Sequence, residues 1–206
     1  MISMRDNKAA IDGLAERGWA VLPGYFPSSL TELLRADLSD CVAVRPLKLA
    51  GTGRSGIRAA EPVRTDRTLW LDGSTWAQQE YLALMEALRL DLNRALYLGL
   101  FDYECHYALY APGGFYKKHI DSLRGTRNRL VSCVTYLTPD WVEADKGHLA
   151  LYDPQDETHE IARILPESGT LALFLSEEIP HEVLPPARER ASIAGWFRCA
   201  GLDSKL

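Results

Sequence analysis

Cysteine is scarce in this chain: four in 206 residues, at positions 41, 105, 133 and 199, with no C-x-x-C pair. That excludes a disulfide framework and a cysteine-rich zinc site. Long apolar runs are also missing. None approaches the ~18 residues of a membrane-spanning helix, so no membrane partner is expected. Neither charge sign dominates, and a net charge of −5 argues against broad nucleic-acid binding. Internal repeats, low-complexity tracts and charged tails are lacking, which argues against a solenoid or a disordered chain. The opening stretch Met1–Trp19 is polar and of mixed charge, unlike a secretory signal. The expectation is therefore a cytoplasmic monomer with reduced thiols, in which Cys105, Cys133 and Cys199 are core residues.

What is present is an ordinary globular mixture, 47% apolar and 25% charged. A chain of this length can bury about 70% of its unfolded surface in one core. Residues 5–17 can form a short helix, and Gly18–Pro23 a short strand. Pro27-Ser-Ser opens a second helix over 28–41, with serine available as its cap. Residues 45–62 combine glycine and proline with Arg45, Lys48, Arg54 and Arg58 and read as a mobile basic loop or a strand pair with a flexible tip. The clearest helix is 77–97, where Tyr81, Leu84, Met85, Leu88, Leu92, Ala95 and Leu96 recur at the spacing of one buried stripe. Beyond Gly99 the pattern changes to about eight short β-rich runs near 103–110, 116–121, 129–137, 148–152, 159–164, 170–175, 180–184 and 190–198. Such a series predicts a sandwich or barrel, with the front helices packed on one side: an α+β fold.

The chemistry concentrates in the β-rich half. His119 and Asp121 are two residues apart, so on an extended strand they project together. His181 lies at the start of another strand-like run. Two histidines and a carboxylate on a β scaffold can form the facial triad of a non-haem Fe(II) site, with open positions left for other ligands. The pattern alone is also met by an unrelated polar pair and a satisfied histidine. Nine residues beyond His181, Arg190, Ser192 and Trp196 share one strand face. An arginine beside a hydroxyl in an apolar strand is suited to a carboxylate, because a buried guanidinium needs an anion. A surface salt bridge is the plainer reading of Arg190.

The combination H-x-D, distant His and R-x-S resembles the 2-oxoglutarate- and Fe(II)-dependent dioxygenase superfamily. The stretches Tyr110–Asp121, Arg129–Trp141 and Pro180–Trp196, with Arg64-Thr-Asp66-Arg-Thr-Leu-Trp70 upstream, resemble the prolyl 4-hydroxylases. They are closest to bacterial relatives of the hypoxia-inducible-factor prolyl hydroxylases. The resemblance implies a double-stranded β-helix (jelly roll) of about eight core strands with N-terminal helices on one side. It implies a single dioxygenase domain over 1–206, with 1–100 as helical support and substrate-mouth loop and 101–200 as the catalytic β-roll. His119, Asp121 and His181 would hold Fe(II). Arg190 and Tyr136 would hold the distal carboxylate of 2-oxoglutarate, helped by Ser192 and Tyr110. Tyr116, Trp196, Arg129 and Asp66 would line the substrate pocket, the last two as an acid–base pair. Ile120, Val134 and Val183 would add apolar walls, and the segments 45–62 and 64–70 would close over the substrate chain.

The activity so implied is hydroxylation of a prolyl residue in a protein or peptide, using O2 and coupled to decarboxylation of 2-oxoglutarate to succinate. Ascorbate is the implied reductant, and elongation factor Tu the implied target among bacterial relatives. The same chemistry on a small molecule or a non-prolyl side chain is the alternative, and a non-catalytic, metal-binding β-roll is a third reading. Two positions depart from the family pattern: Thr65 replaces a glycine, and Lys146-Gly147-His148-Leu149 replaces a double glycine. His148 is expected at a strand edge or surface. His106 and His159 have no partner at ligand spacing.

Overall fold

The computed structural model describes residues 7–44, 47–49, 62–123 and 128–199. In chain order its elements are α1 (Lys8–Arg17), β1 (Trp19–Leu22), α2 (Ser28–Val44), β2 (Lys48–Leu49), β3 (Arg67–Trp70), α3 (Trp76–Leu96), β4 (Leu100–Tyr110), β5 (Tyr116–His119), β6 (Arg129–Tyr136), β7 (Leu149–Tyr152), β8 (Glu160–Ile164), β9 (Leu171–Leu175), β10 (His181–Val183) and β11 (Arg190–Cys199). The strands form an antiparallel seven-stranded sheet, ordered β1-β9-β6-β11-β4-β3-β2, and a four-stranded sheet, ordered β5-β10-β7-β8. The eight strands β4 to β11 divide equally between the two sheets. This is the double-stranded β-helix of an α+β protein. The expected basic loop over 45–62 lies outside the described residues apart from 47–49 and 62.

Strand periodicity separates two cores. Successive side chains on a strand point to opposite faces. On the large sheet Cys105, Tyr107, Leu109, Val131, Cys133, Leu171, Leu173, Ile193 and Phe197 face the helices, and they pack with Leu34 of α2 and Tyr81, Met85, Leu88 and Leu92 of α3. The alternate residues Ala108, Tyr110, Tyr136, Ala172 and Phe174 face the small sheet and pack with Leu149, Leu151 and Val183. The α3 stripe packs on the large sheet from Tyr81 to Leu92, with Met85 as core filler at 0% exposure, but its expected end is not buried: Ala95 is exposed and Leu96 half-buried, in the helix's last turn. At roughly 1.5–3 kcal/mol for each fully buried apolar side chain, the stripe outweighs the helix's own propensities. The helix starts where the Thr75 hydroxyl accepts from the Gln78 N–H. In α2 the chain is already helical at Ser28, and the Pro27 carbonyl receives the first N–H groups. Serine therefore lies in the first turn instead of capping it.

Polar side chains rivet the helices to the sheet. The buried Asp37 carboxylate of α2 accepts from Tyr107 Oη of β4 (2.6 Å) and Gln78 Nε2 of α3 (2.9 Å). Tyr81 Oη lies 3.0 Å from both Tyr103 Oη and Thr135 Oγ1, linking α3 to β4 and β6. Cys105 and Cys133 are buried free thiols as expected, whereas Cys199 is only half-buried. His148 departs from its expected surface position: it is buried, with Nε2 3.2 Å from Glu143 Oε1.

Gly195, on the central strand β11, sits under the Tyr103 ring. A Cβ built there would lie 2.4 Å from Tyr103 Oη and 2.7 Å from the Cys105 Cβ. Since Tyr103 is held by Tyr81, it has little room to yield. Gly195→Ala is expected to destabilise the fold by about 1–3 kcal/mol through overpacking. Urea unfolding monitored by tryptophan fluorescence checks this, and an unchanged midpoint would show that Tyr103 is free to move.

Candidate metal centre and cavity

Strand pairing builds the centre. In the β5–β10 ladder His119 stands directly opposite His181. Asp121 follows just after β5 ends, in a bend, so the run expected to 121 stops two residues early. The three side chains nevertheless converge, with one ligand atom from each lying within 4.8 Å of the others. His119 Nε2 is 3.4 Å from Asp121 Oδ1, and His181 Nε2 is 3.6 Å from Oδ2.

The two imidazoles are oriented identically. His119 Nδ1 lies 2.8 Å from the Lys117 carbonyl, and His181 Nδ1 lies 3.0 Å from the Ile179 carbonyl, each two residues back. A carbonyl only accepts, so each Nδ1 carries the proton and each Nε2 keeps its lone pair. His119 Nε2 is a buried atom with no hydrogen-bond partner. Burial pushes His181 down to about 4, which keeps it neutral. Burial would raise the Asp121 carboxyl, but His181, His119 and the Ser132 hydroxyl outweigh it and hold the group well below the usual carboxylate range.

The carboxylate is also held in place. Asp121 Oδ2 accepts from Ser132 Oγ at 2.6 Å and from Trp196 Nε1 at 2.8 Å. Ser132 in turn lies 2.8 Å from Ser176 Oγ, which must donate to it. Two imidazole nitrogens and a carboxylate oxygen that converge on one point form a donor set that a cation would bind. The donor set fits a divalent ion such as Fe(II), with first-sphere orientation fixed by the outer contacts.

β11 is the spine of the adjoining cavity, and its register places the rest. Arg190 pairs with Tyr110, Ser192 with both Ala108 and Tyr136, Ala194 with both His106 and Val134, and Trp196 with Ser132. Arg190 is 1% exposed, with its guanidinium about 5 Å from the Tyr110 and Tyr136 rings. It donates to Ser192 Oγ (3.2 Å), yet its Nε, like Tyr136 Oη, has no partner. Among the described residues no carboxylate forms an ion pair with it. Burial pushes the Tyr136 phenol up to about 12, although Arg190 opposes the shift, so the phenol remains a donor. A buried cation beside unspent donors is a receptor for a carboxylate. Val134 and Val183 line the cavity; Ile120 is 38% exposed and does not.

Tyr116 stacks on His119, with centroids 3.5 Å apart at 16°, and the Arg64 guanidinium lies over the tyrosine ring, 4.3 Å from its centroid. Arg64 is fixed by a bidentate pair to the fully buried Asp66, at 2.7 and 2.6 Å. The expected pairing of Asp66 with Arg129 is therefore not formed. Residues 64 and 66 lie on one side of an extended segment and meet fork to fork. Thr65 anchors that segment: its N–H donates to the Phe115 carbonyl (3.0 Å) and its Oγ1 accepts from the Phe115 N–H (2.8 Å). The departure from glycine thus adds a tie. Arg129 instead pairs with Glu104 (2.8 Å) and lies 3.6 Å over the Trp196 ring. His106, which has no sequence signal of ligand spacing, also lines the cavity; its even-numbered place on β4 alongside Ala108 and Tyr110 was the available sign.

The sequence pattern of the 2OG-Fe(II) oxygenase superfamily matches residues 105–198. A crystal structure of a Pseudomonas putida prolyl-4-hydroxylase shares 41% identity, covering 95% of this chain and 100% of that one, with a TM-score of 0.83. A Trichoplax adhaerens prolyl hydroxylase, solved with a hypoxia inducible factor oxygen degradation domain peptide fragment, has the same fold at 23% identity. That match covers 93% of this chain and 88% of that one, with a TM-score of 0.81. Prolyl 3-hydroxylase OGFOD1 of Xenopus laevis is 30% identical over 92 residues, which are 41% of this chain and 17% of that longer protein. With near-complete two-way coverage by the Pseudomonas enzyme, and a His-Asp-His centre beside a buried arginine, this chain belongs to the 2OG-Fe(II) oxygenase superfamily, among its prolyl hydroxylase-like members.

Proposed function

We propose that this protein is an Fe(II)- and 2-oxoglutarate-dependent dioxygenase that hydroxylates a prolyl residue of a protein. The observation that carries the reading is the pairing of two unmet demands in one cavity: a cation-seeking His119–Asp121–His181 cluster and an anion-seeking Arg190–Tyr136 pair. A structural zinc site would close its shell with protein ligands and leave Arg190 without an anion. When bound, the iron supplies the redox chemistry that couples decarboxylation of 2-oxoglutarate to succinate with hydroxylation of a C–H bond. The protein's own part is orientation. Arg190 and Tyr136 hold the distal carboxylate, with Ser192 and Tyr110 shaping the space around it. Ser132 and Trp196 fix Asp121, and Tyr116 braces His119. Val134, Val183 and the Trp196 ring keep water and competing polar groups from the reacting carbon.

Elongation factor Tu, the target implied by the resemblance to bacterial relatives, is the first substrate to test. The reading also includes ascorbate as the reductant that maintains ferrous iron, and a monomer acting in the cytoplasm.

Three measurements examine it. With Fe(II) added, the protein should convert 2-oxoglutarate to succinate, and His119→Ala should abolish the conversion. Arg190→Ala should raise the KM for 2-oxoglutarate about a hundredfold, the cost of removing a buried charged anchor; an unchanged KM would remove Arg190 from this role. Calorimetric titration with Mn(II) reads the metal site without turnover. Trp196→Phe, which deletes the donor to Asp121 and keeps an aromatic ring, should weaken binding about tenfold. Finally, peptide mapping of elongation factor Tu after incubation with the enzyme should show one added oxygen on a proline. Succinate release with no hydroxyproline in any extract protein would instead direct the search to small molecules.

A further inference from the structure

Three rings meet beside the cavity: His106 and Trp196 line it, and Trp70 packs against them from the surface side. His106 lies edge-on to Trp70, with centroids 5.1 Å apart at 85°, and 5.5 Å from Trp196 at 61°; the two tryptophans are 6.4 Å apart. The arrangement follows from register, since Trp70 on β3 pairs directly with His106 on β4. Trp70 is half exposed and Trp196 is buried, so the corner runs from the surface to the side chain that positions Asp121.

None of the roles assigned above uses His106. Its Nδ1 lies 3.1 Å from the Tyr107 carbonyl, so Nδ1 carries the proton and Nε2 is left as an acceptor. Burial, with Arg64 nearby, pushes the imidazole down to about 4, which keeps that acceptor neutral. No described group donates to Nε2. The residue is 3% exposed and borders the cavity. An acceptor so placed, between two aromatic walls, gains most from a ligand that brings its own N–H, and it penalises an analogue that lacks one.

We infer that His106 is a specificity-determining residue whose Nε2 accepts a hydrogen bond from a backbone N–H of the substrate chain, beside a reacting ring held against Trp70 and Trp196. The inference rests on the prolyl reading above. Proline has no N–H of its own, so the donor belongs to a flanking residue. The required substrate is thus a peptide with at least one unsubstituted amide next to the target proline.

The test uses the iron-loaded protein and an array of synthetic peptides, each with one central proline in varied flanks, scored by mass for added oxygen. The best peptide is remade with an N-methyl group on each flanking amide in turn. One such methylation should raise the peptide KM of the wild type about tenfold. His106→Leu should raise KM for the parent peptide by a similar factor, with a smaller change in kcat, and should no longer discriminate against the methylated peptide. His106→Gln, which restores an acceptor, should recover most of the loss. If no methylation matters to the wild type, or if it costs wild type and His106→Leu alike, the inference is overturned while prolyl hydroxylation stands. If the wild type hydroxylates no peptide of the array, the prolyl reading and the inference fall together. The methylation arm needs only the wild-type protein, so a poorly folding variant does not blunt it.

Discussion

Everything in the cavity depends on one antiparallel pairing, that of β5 with β10. It sets His119 across from His181. Each ring is turned by a hydrogen bond from Nδ1 to a carbonyl two residues earlier in the chain. The same local device used twice aims two lone pairs at one point. Backbone register supplies the approach and backbone carbonyls supply the aim, so neither imidazole relies on a long flexible partner. Were one strand to slip by one residue against the other, its ring would be carried to the opposite face and the pair would part.

The second constraint is electrostatic. A guanidinium at 1% exposure with no carboxylate partner among the described residues is costly to bury. That cost is acceptable where binding a carboxylate relieves it. The cavity joins this cationic end to the histidine–aspartate cluster along a single strand, β11, whose alternate residues 190, 192, 194 and 196 form its floor. A ligand that spans both ends answers both demands at once.

Much of this was legible from spacing. Parity alone put Arg190, Ser192 and Trp196 on one face and His119 with Asp121, and the 3–4 stripe placed α3. What parity missed has identifiable causes. Arg129 is odd-numbered on a strand whose cavity side is even, but the ladder with β11 is irregular between Phe197 and Arg198, pairing Val131 with Phe197 and Arg129 with Arg198. The extra residue turns Arg129 onto the cavity side, where Glu104 is its nearest acid. Asp66 found its partner two residues away because a bidentate fork within one extended segment needs no long-range closure. His106 was passed over because a lone histidine in an apolar strand carries no motif. Its meaning comes only from Trp70, brought beside it by β3. His148 is buried just before β7, where its Nε2 meets the exposed Glu143 five residues earlier.

The grip on Asp121 has a consequence for coordination number. Oδ2 already takes two hydrogen bonds, from Ser132 and Trp196. That oxygen is engaged, so the carboxylate is disposed to serve an ion as a monodentate ligand through Oδ1. A bidentate swing would break both bonds. An indole and a hydroxyl thus leave Asp121 Oδ1 as the carboxylate atom that would join the two imidazoles in holding a metal ion.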